Sequence, residues 1–114
     1  MTTTQAPKAE TTRAFETRLE EARRRFQTME LEQMKKGEVE ARALLARAQK
    51  RFEDRRADVE TRLKKARGSS GSAWDEIRKG LEEACTSLED SLERARAEFA
   101  GEAVEDDEET EEER

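Results

Sequence analysis

The chain has 114 residues, of which 46% are charged and 32% are apolar, and its formal net charge is −6 with one cysteine and no histidine. This length and composition exclude a large core and a disulfide framework. Alanine, glutamate, lysine, leucine and arginine supply most of the sequence, which is typical of coiled coils and long helices. We therefore expect an all-α fold.

The first predicted helix follows a short polar N-terminal segment, residues 1–7, which we expect to be disordered. No segment has the apolar length of a signal sequence or a membrane span, which predicts a cytoplasmic protein. Pro7 suits the start of a helix, and Gly68 suits a left-handed residue at the end of one. The sequence therefore predicts one long helix over residues 8–67.

An apolar stripe runs along the first half of this long helix. Its members are mostly three or four residues apart, as on one face of an α-helix. They are Phe15, Leu19, Ala22, Phe26, Met29 and Met34. The spacing slips near Gly37, but an eleven-residue repeat that includes Phe15, Phe26 and Gly37 continues across the slip and favours an unbroken helix.

The segment GSSGS at residues 68–72 predicts a turn. Ser72 is suited to cap the next helix, because a serine hydroxyl accepts hydrogen bonds from free N–H groups at a helix start. The second helix is predicted over about residues 73–100. A short turn makes neighbouring helices antiparallel, so we expect one hairpin seam between them. The seam residues are Leu45, Phe52, Val59, Leu63, Trp74, Leu81, Leu88, Leu92 and Phe99.

The two predicted helices differ in length. A helix of 60 residues spans about 90 Å, whereas one of 28 residues covers about 42 Å. The stripe in the first half therefore lacks a partner within the chain, which predicts self-association into a homo-oligomer or binding to another helical protein. The alternative is a break at Gly37, which gives a monomeric three-helix bundle with helices at 8–36, 38–67 and 72–100.

The C-terminal segment, residues 102–114, contains nine acidic residues and one basic residue. Such a segment repels itself and cannot bury apolar surface. We expect a disordered acidic tail.

The sequence contains few groups suited to catalysis or metal binding. It has no histidine, no tyrosine and no glycine-rich phosphate loop. Cys85 lies within an apolar stripe and is interpreted as a small buried side chain, and Trp74 as a core residue beside the turn. We therefore predict a protein that is not an enzyme and has no cofactor or metal site. The body of the chain is too weakly charged for us to expect nucleic-acid binding.

The segment GSSGSAWDEIRKGLEEACTSLEDSLERARAEF, residues 68–99, resembles the end of small bacterial proteins of a stress-response coiled-coil family. In that family a long charged helix leads into a segment of the type GDAWEDLKxGxEKAWDELK. Cys85 stands where the family pattern has a second tryptophan, and arginine exceeds lysine in this chain. The resemblance implies an accessory or stress-associated role with no known chemistry.

Two functions follow from these patterns. The first is a non-enzymatic structural or interaction protein that associates with itself in an accessory or stress-protective role. The alternative is a reversible binder of lipid or protein surfaces, in which amphipathic helices open onto the surface. The side chains that would then contact the surface are Phe15, Phe26, Phe52, Trp74 and Phe99.

Overall fold

A computed structural model describes residues 8–101 as three α-helices joined by two short connections. Helix α1 spans Lys8–Lys36, α2 spans Val39–Arg67 and α3 spans Ala73–Phe99. The part of the chain that the structure describes contains no strand. The all-α prediction is confirmed, and the predictions of disorder for residues 1–7 and 102–114 concern segments outside the described residues.

The chain breaks at Gly37, so the prediction of a single helix over residues 8–67 is wrong and the alternative of three helices is confirmed, while the monomeric state of that alternative stays a prediction. Gly37 has a φ of +67°, in the left-handed region that residues with a side chain rarely adopt. Glu38 follows in an extended conformation, with φ −91° and ψ 149°. These two residues are enough to reverse the chain direction between α1 and α2.

Side-chain contacts between α1 and α2 show that the two helices are antiparallel. Glu16, near the start of α1, binds Arg67 at the end of α2, and Glu30, near the end of α1, accepts a hydrogen bond from Gln49 at 2.7 Å. The second connection reverses the chain again, so α1 and α3 run parallel. All three helices contact one another, and α2 and α3 form the most extensive pair.

The three helices are 29, 29 and 27 residues long, so each can cover the others along nearly their whole length. Their inward faces form one apolar core. Its buried members are Phe15, Leu19, Ala22, Phe26, Leu45, Ala48, Phe52, Val59, Leu63, Ala66, Leu81, Ala84, Cys85, Leu88, Leu92 and Ala95. The expectation that the first half of the chain overhangs without an internal partner is therefore wrong.

The α2–α3 connection lies where the sequence predicts it, at residues 68–72, but its details differ. Gly68 was expected in the left-handed region and instead has a φ of −96°, with its N–H donating to the carbonyl of Lys65 at 3.2 Å. The left-handed residue is Gly71, with a φ of +64°. Ser72 precedes α3, but its hydroxyl makes no capping hydrogen bond.

Candidate interaction surface

Three large apolar side chains are mostly exposed among the described residues, and all lie around the α1–α2 connection. Leu31 is 60% exposed, Met34 is 62% exposed and Val39 is 79% exposed. Isolated apolar side chains are common on protein surfaces, but three within residues 31–39 form a local group. We call Leu31, Met34 and Val39 the corner patch.

The packing of α1 explains why Met34 points outward. Phe26 is buried, and the residue seven positions later on the same helical face is Gln33, which is 5% exposed. Met34 is the next residue, turned about 100° away from that face. The sequence placed Met34 on the self-association stripe with Phe26, whereas in the structure Gln33 takes the inward position and Met34 is exposed.

Charged residues of opposite sign border the corner patch. Lys35 and Lys36 form the last turn of α1, and Glu40 lies in the first turn of α2. Glu38, between the two helices, is exposed. The basic side of the connection and its acidic side are therefore only a few residues apart.

The residues predicted to form the self-association stripe lie mainly inside the chain's own core. Phe15, Leu19, Ala22 and Phe26 are between 1% and 8% exposed. Met29 is partly buried against the same core. Packing by α2 and α3 thus covers this stripe, because the break at Gly37 folds α1 back onto them.

The residues predicted to form the hairpin seam all lie in the core or against it. Leu45, Phe52, Val59, Leu63, Leu81, Leu88 and Leu92 are buried. Trp74 and Phe99 are partly buried and pack against the core from the two ends of α3. Phe15, Phe26 and Phe52 are covered as well, so binding of these rings to a lipid surface would require the bundle to open.

Arg18 joins α1 to α3 through two carboxylates. Its guanidinium lies 2.8 Å from Glu89 Oε1 and 3.1 Å from Glu82 Oε2. Hydrogen bonding with Glu89 is the main cause that raises the pKa of Arg18, and the same bond lowers the pKa of Glu89. One cation of α1 thus binds two carboxylates, Glu82 and Glu89, that lie seven residues apart on α3.

A second ion-pair group joins α2 to α3. Glu98 accepts from Arg51 of α2 at 2.7 Å and from Arg94 of its own helix at 3.3 Å. The side chains of Arg51 and Glu98 are 15% and 12% exposed, so this group is shielded from water much more than Arg18 and Glu82 are. Neither ion-pair group could be predicted from local sequence patterns, because each group joins two different helices.

A groove of about 620 Å³ lies between the N-terminal parts of α1 and α3. Phe15 and Trp74 line it together with Arg18, and the Lys8 ammonium lies 5.7 Å from the centroid of the Trp74 ring. Arg18 is bound to carboxylates of the same chain. The groove therefore combines the apolar surface of Phe15 and Trp74 with charged side chains, among them the paired Arg18 and Glu82.

Cys85 has the properties of a structural thiol. It is 1% exposed, as the sequence interpretation of a small buried side chain predicted. Burial raises the pKa of the Cys85 thiol to about 11, so the thiol stays protonated at neutral pH. A protonated and buried thiol is a poor nucleophile.

Neither a metal centre nor a membrane span is visible within residues 8–101. No three Cys, Asp or Glu side chains in this range are grouped so that they could hold a metal ion. No helix in it has the length and apolarity needed to cross a membrane.

No protein-family model matches the chain, and neither a curated protein nor a solved structure matches it. The stress-response coiled-coil family therefore stays a prediction from residues 68–99.

Proposed function

We propose that this chain is a non-enzymatic helical interaction protein that associates with another copy of itself, in an accessory or stress-protective role. The corner patch carries the proposal. Leu31, Met34 and Val39 are exposed at one end of the molecule, whereas Leu44 is half-buried and the other large apolar side chains of residues 8–101 lie in or against the core. Contact with a second molecule would remove this apolar surface from water.

The chemistry of the described side chains supports a non-enzymatic role. Catalysis requires a group whose protonation or nucleophilicity is adjusted within a water-poor site. Cys85 is protonated and enclosed by the core, and Arg18 in the groove between α1 and α3 is bound to Glu82 and Glu89. Both groups stabilise the fold, and neither is available as a nucleophile or a base.

The charges around the corner patch favour a second copy as the partner. In a dimer with a two-fold axis, both molecules contribute the same patch. If a residue i of one molecule contacts a residue j of the other, then j of the first molecule contacts i of the second. Lys35 and Lys36 of one molecule would then face Glu38 and Glu40 of the other. This arrangement places opposite charges around an apolar centre, as in complementary interfaces.

The experiment compares the mass in solution of the wild-type chain and two triple variants across the micromolar range, by light scattering after size exclusion. Leu31→Lys, Met34→Lys and Val39→Lys together should abolish the dimer. The matched control carries Thr17→Lys, Ala57→Lys and Thr61→Lys, three exposed positions elsewhere that add the same charge. We expect the control to dimerise as the wild type does.

A wild-type chain that stays monomeric at every concentration would contradict self-association. Equal dimerisation of both triple variants would contradict the corner patch as the contact. Circular dichroism of each variant establishes that the helices are retained, so that loss of the dimer is not loss of the fold.

A further inference from the structure

We infer that two copies of this chain exchange their α1 helices, so that each α1 packs on the α2–α3 pair of the other molecule. The inference rests on the proposed self-association and names its mechanism. In the exchanged dimer, residues 37 and 38 become helical, and α1 and α2 merge into one helix over residues 8–67. The corner patch alone supplies only part of the roughly 800 Å² that each partner buries in a standard stable interface. Exchange of a whole helix supplies the rest.

The α1–α2 connection is suited to this change. It consists of two residues, Gly37 and Glu38, and both can be accommodated in an α-helix. A Cβ added at Gly37 would meet no atom within 4 Å, so the surroundings leave room for a side chain at this position. The lone proline of the chain, Pro7, lies before α1. A very short connection favours domain exchange, because opening it removes a tight turn from the chain.

The contacts that hold α1 in the monomer can be made equally well by a second copy. Phe26 would stack on the partner's Phe52, and Arg18 would bind the partner's Glu82 and Glu89. Antiparallel packing of α1 on α2 is also retained, since a two-fold axis reverses the direction of the partner's α2. Helix α1 forms fewer contacts with the other two helices than α2 and α3 form with each other, so it is the element that separates with the least loss.

The exchanged form also covers a side chain that the monomer leaves exposed. In a continuous helix the successive spacings from Met34 onward are 7, 4, 3 and 4 residues, which is the pattern of one helical face. The residues that follow Met34 on this face are Ala41, Leu45, Ala48 and Phe52. Met34 therefore extends the buried face of α2 by two turns once the connection straightens. Met34 is 62% exposed in the monomer, and exchange would bury this exposed surface.

The first test changes the connection itself. Gly37→Ala disfavours the left-handed turn and favours a helix, so it should lower the dimer dissociation constant about a hundredfold or more. Inserting Gly-Ser-Gly-Ser between residues 37 and 38 gives the chain a relaxed turn and interrupts the long helix. The insertion should yield monomer at concentrations where the wild type is dimeric.

The second test uses the ion pairs between α1 and α3. One full-length variant carries Arg18→Glu, and the other carries Glu82→Arg and Glu89→Arg. Each places like charges together in its own monomer and in its own dimer. An exchanged heterodimer restores opposite charges at both sites, so a mixture of the two variants should contain at least about tenfold more dimer than either variant alone. Native mass spectrometry identifies the one-to-one species.

Several results would overturn the exchange. One is a mixture of the Arg18→Glu variant and the Glu82→Arg, Glu89→Arg variant that contains no more dimer than either variant alone. A single chain that carries all three substitutions restores opposite charges within itself and is the folded control. Another is a dimer that is insensitive to both Gly37→Ala and the insertion. A dimer that the insertion preserves, but that is lost when Leu31, Met34 and Val39 are replaced by lysine, would reject exchange while retaining association through the corner patch. The two proposals therefore fail in different experiments.

Discussion

The two connections between helices hold the chain in different ways. The α2–α3 connection has five residues, and its backbone is closed by hydrogen bonds within the turn. Ser69 donates both its N–H and its hydroxyl to the carbonyl of Ala66, at 3.2 and 3.0 Å, and Trp74 donates its N–H to Gly71 at 3.1 Å. The α1–α2 connection has two residues, and its Glu38 carbonyl accepts a hydrogen bond from the Arg42 N–H of α2 at 3.0 Å.

This difference shows that the two neighbours of α2 are fixed by different interactions. The position of α3 is set by a structured turn and by the most extensive helix pair of the bundle. The position of α1 depends on side chains well before its own connection. The main ones are the Phe26 ring, stacked on Phe52 with centroids 4.4 Å apart, and the Arg18 guanidinium between Glu82 and Glu89.

The largest expected effect comes from removing the aromatic stack between α1 and α2. Phe26→Ala deletes a ring that is 5% exposed, and such changes lower the free energy of unfolding by about 3 kcal/mol. Hydrogen exchange should rise first in α1, with α3 protected longer, and chemical denaturation measures the total loss. Phe99→Ala removes a partly buried ring at the end of α3 and should cost less. An equal loss of protection in α1 and α3 would contradict the weaker attachment of α1.

A smaller effect is expected from the turn between α2 and α3. Gly71 has a φ of +64°, so Gly71→Ala places a side chain in the left-handed region and should lower the free energy of unfolding by about 1 kcal/mol. Urea denaturation measures this change. Ser70→Ala, at an exposed neighbouring position, should change stability by a few tenths of a kcal/mol. The proposed exchange keeps the α2–α3 hairpin of each molecule intact and does not open this turn. Gly71→Ala should therefore leave the dimer fraction unchanged, in contrast to Gly37→Ala.

The sequence indicated the second connection much more clearly than the first. Residues 68–72 contain only glycine and serine, and the ends of α2 and α3 agree with the prediction. At Gly37 the local signals conflict, because one glycine costs only about 1 kcal/mol inside a helix and the eleven-residue repeat continues across it. Burial decides the outcome. Folding back covers Phe15, Leu19 and Phe26, and each such side chain contributes about 1.5–3 kcal/mol when buried.

The candidate surface was harder to predict than the core. Spacing alone placed Met34 on the stripe, because the break at Gly37 that ends the stripe was not decided by the sequence. Leu31 and Val39 belong to neither predicted face, and that mismatch is the signal that could have identified them as exposed. Arg18 and its partners are separated by more than 60 residues, so no local pattern connects them.

The smallest expected effect is a dependence of stability on pH through Glu89. Arg18 holds the pKa of Glu89 below its ordinary value of 4.5, so the unfolded chain takes up this proton at a higher pH than the folded chain does. The stabilisation is therefore complete above about pH 4.5 and declines as the pH falls through the lower folded value. Glu89 is partly exposed, so the effect should stay below about 1 kcal/mol.

Thermal unfolding of the wild type and of Glu89→Gln between about pH 3 and pH 6 tests this dependence. The variant should be the less stable of the two at the upper end of the range, and the difference should shrink on acidification because the wild-type carboxylate becomes neutral. Glu83→Gln, at an exposed position on the same helix, is the control and should follow the wild type at every pH. A constant difference between the wild type and Glu89→Gln would mean that the carboxylate acts through packing, and that charge contributes nothing to the attachment of α1 at this point.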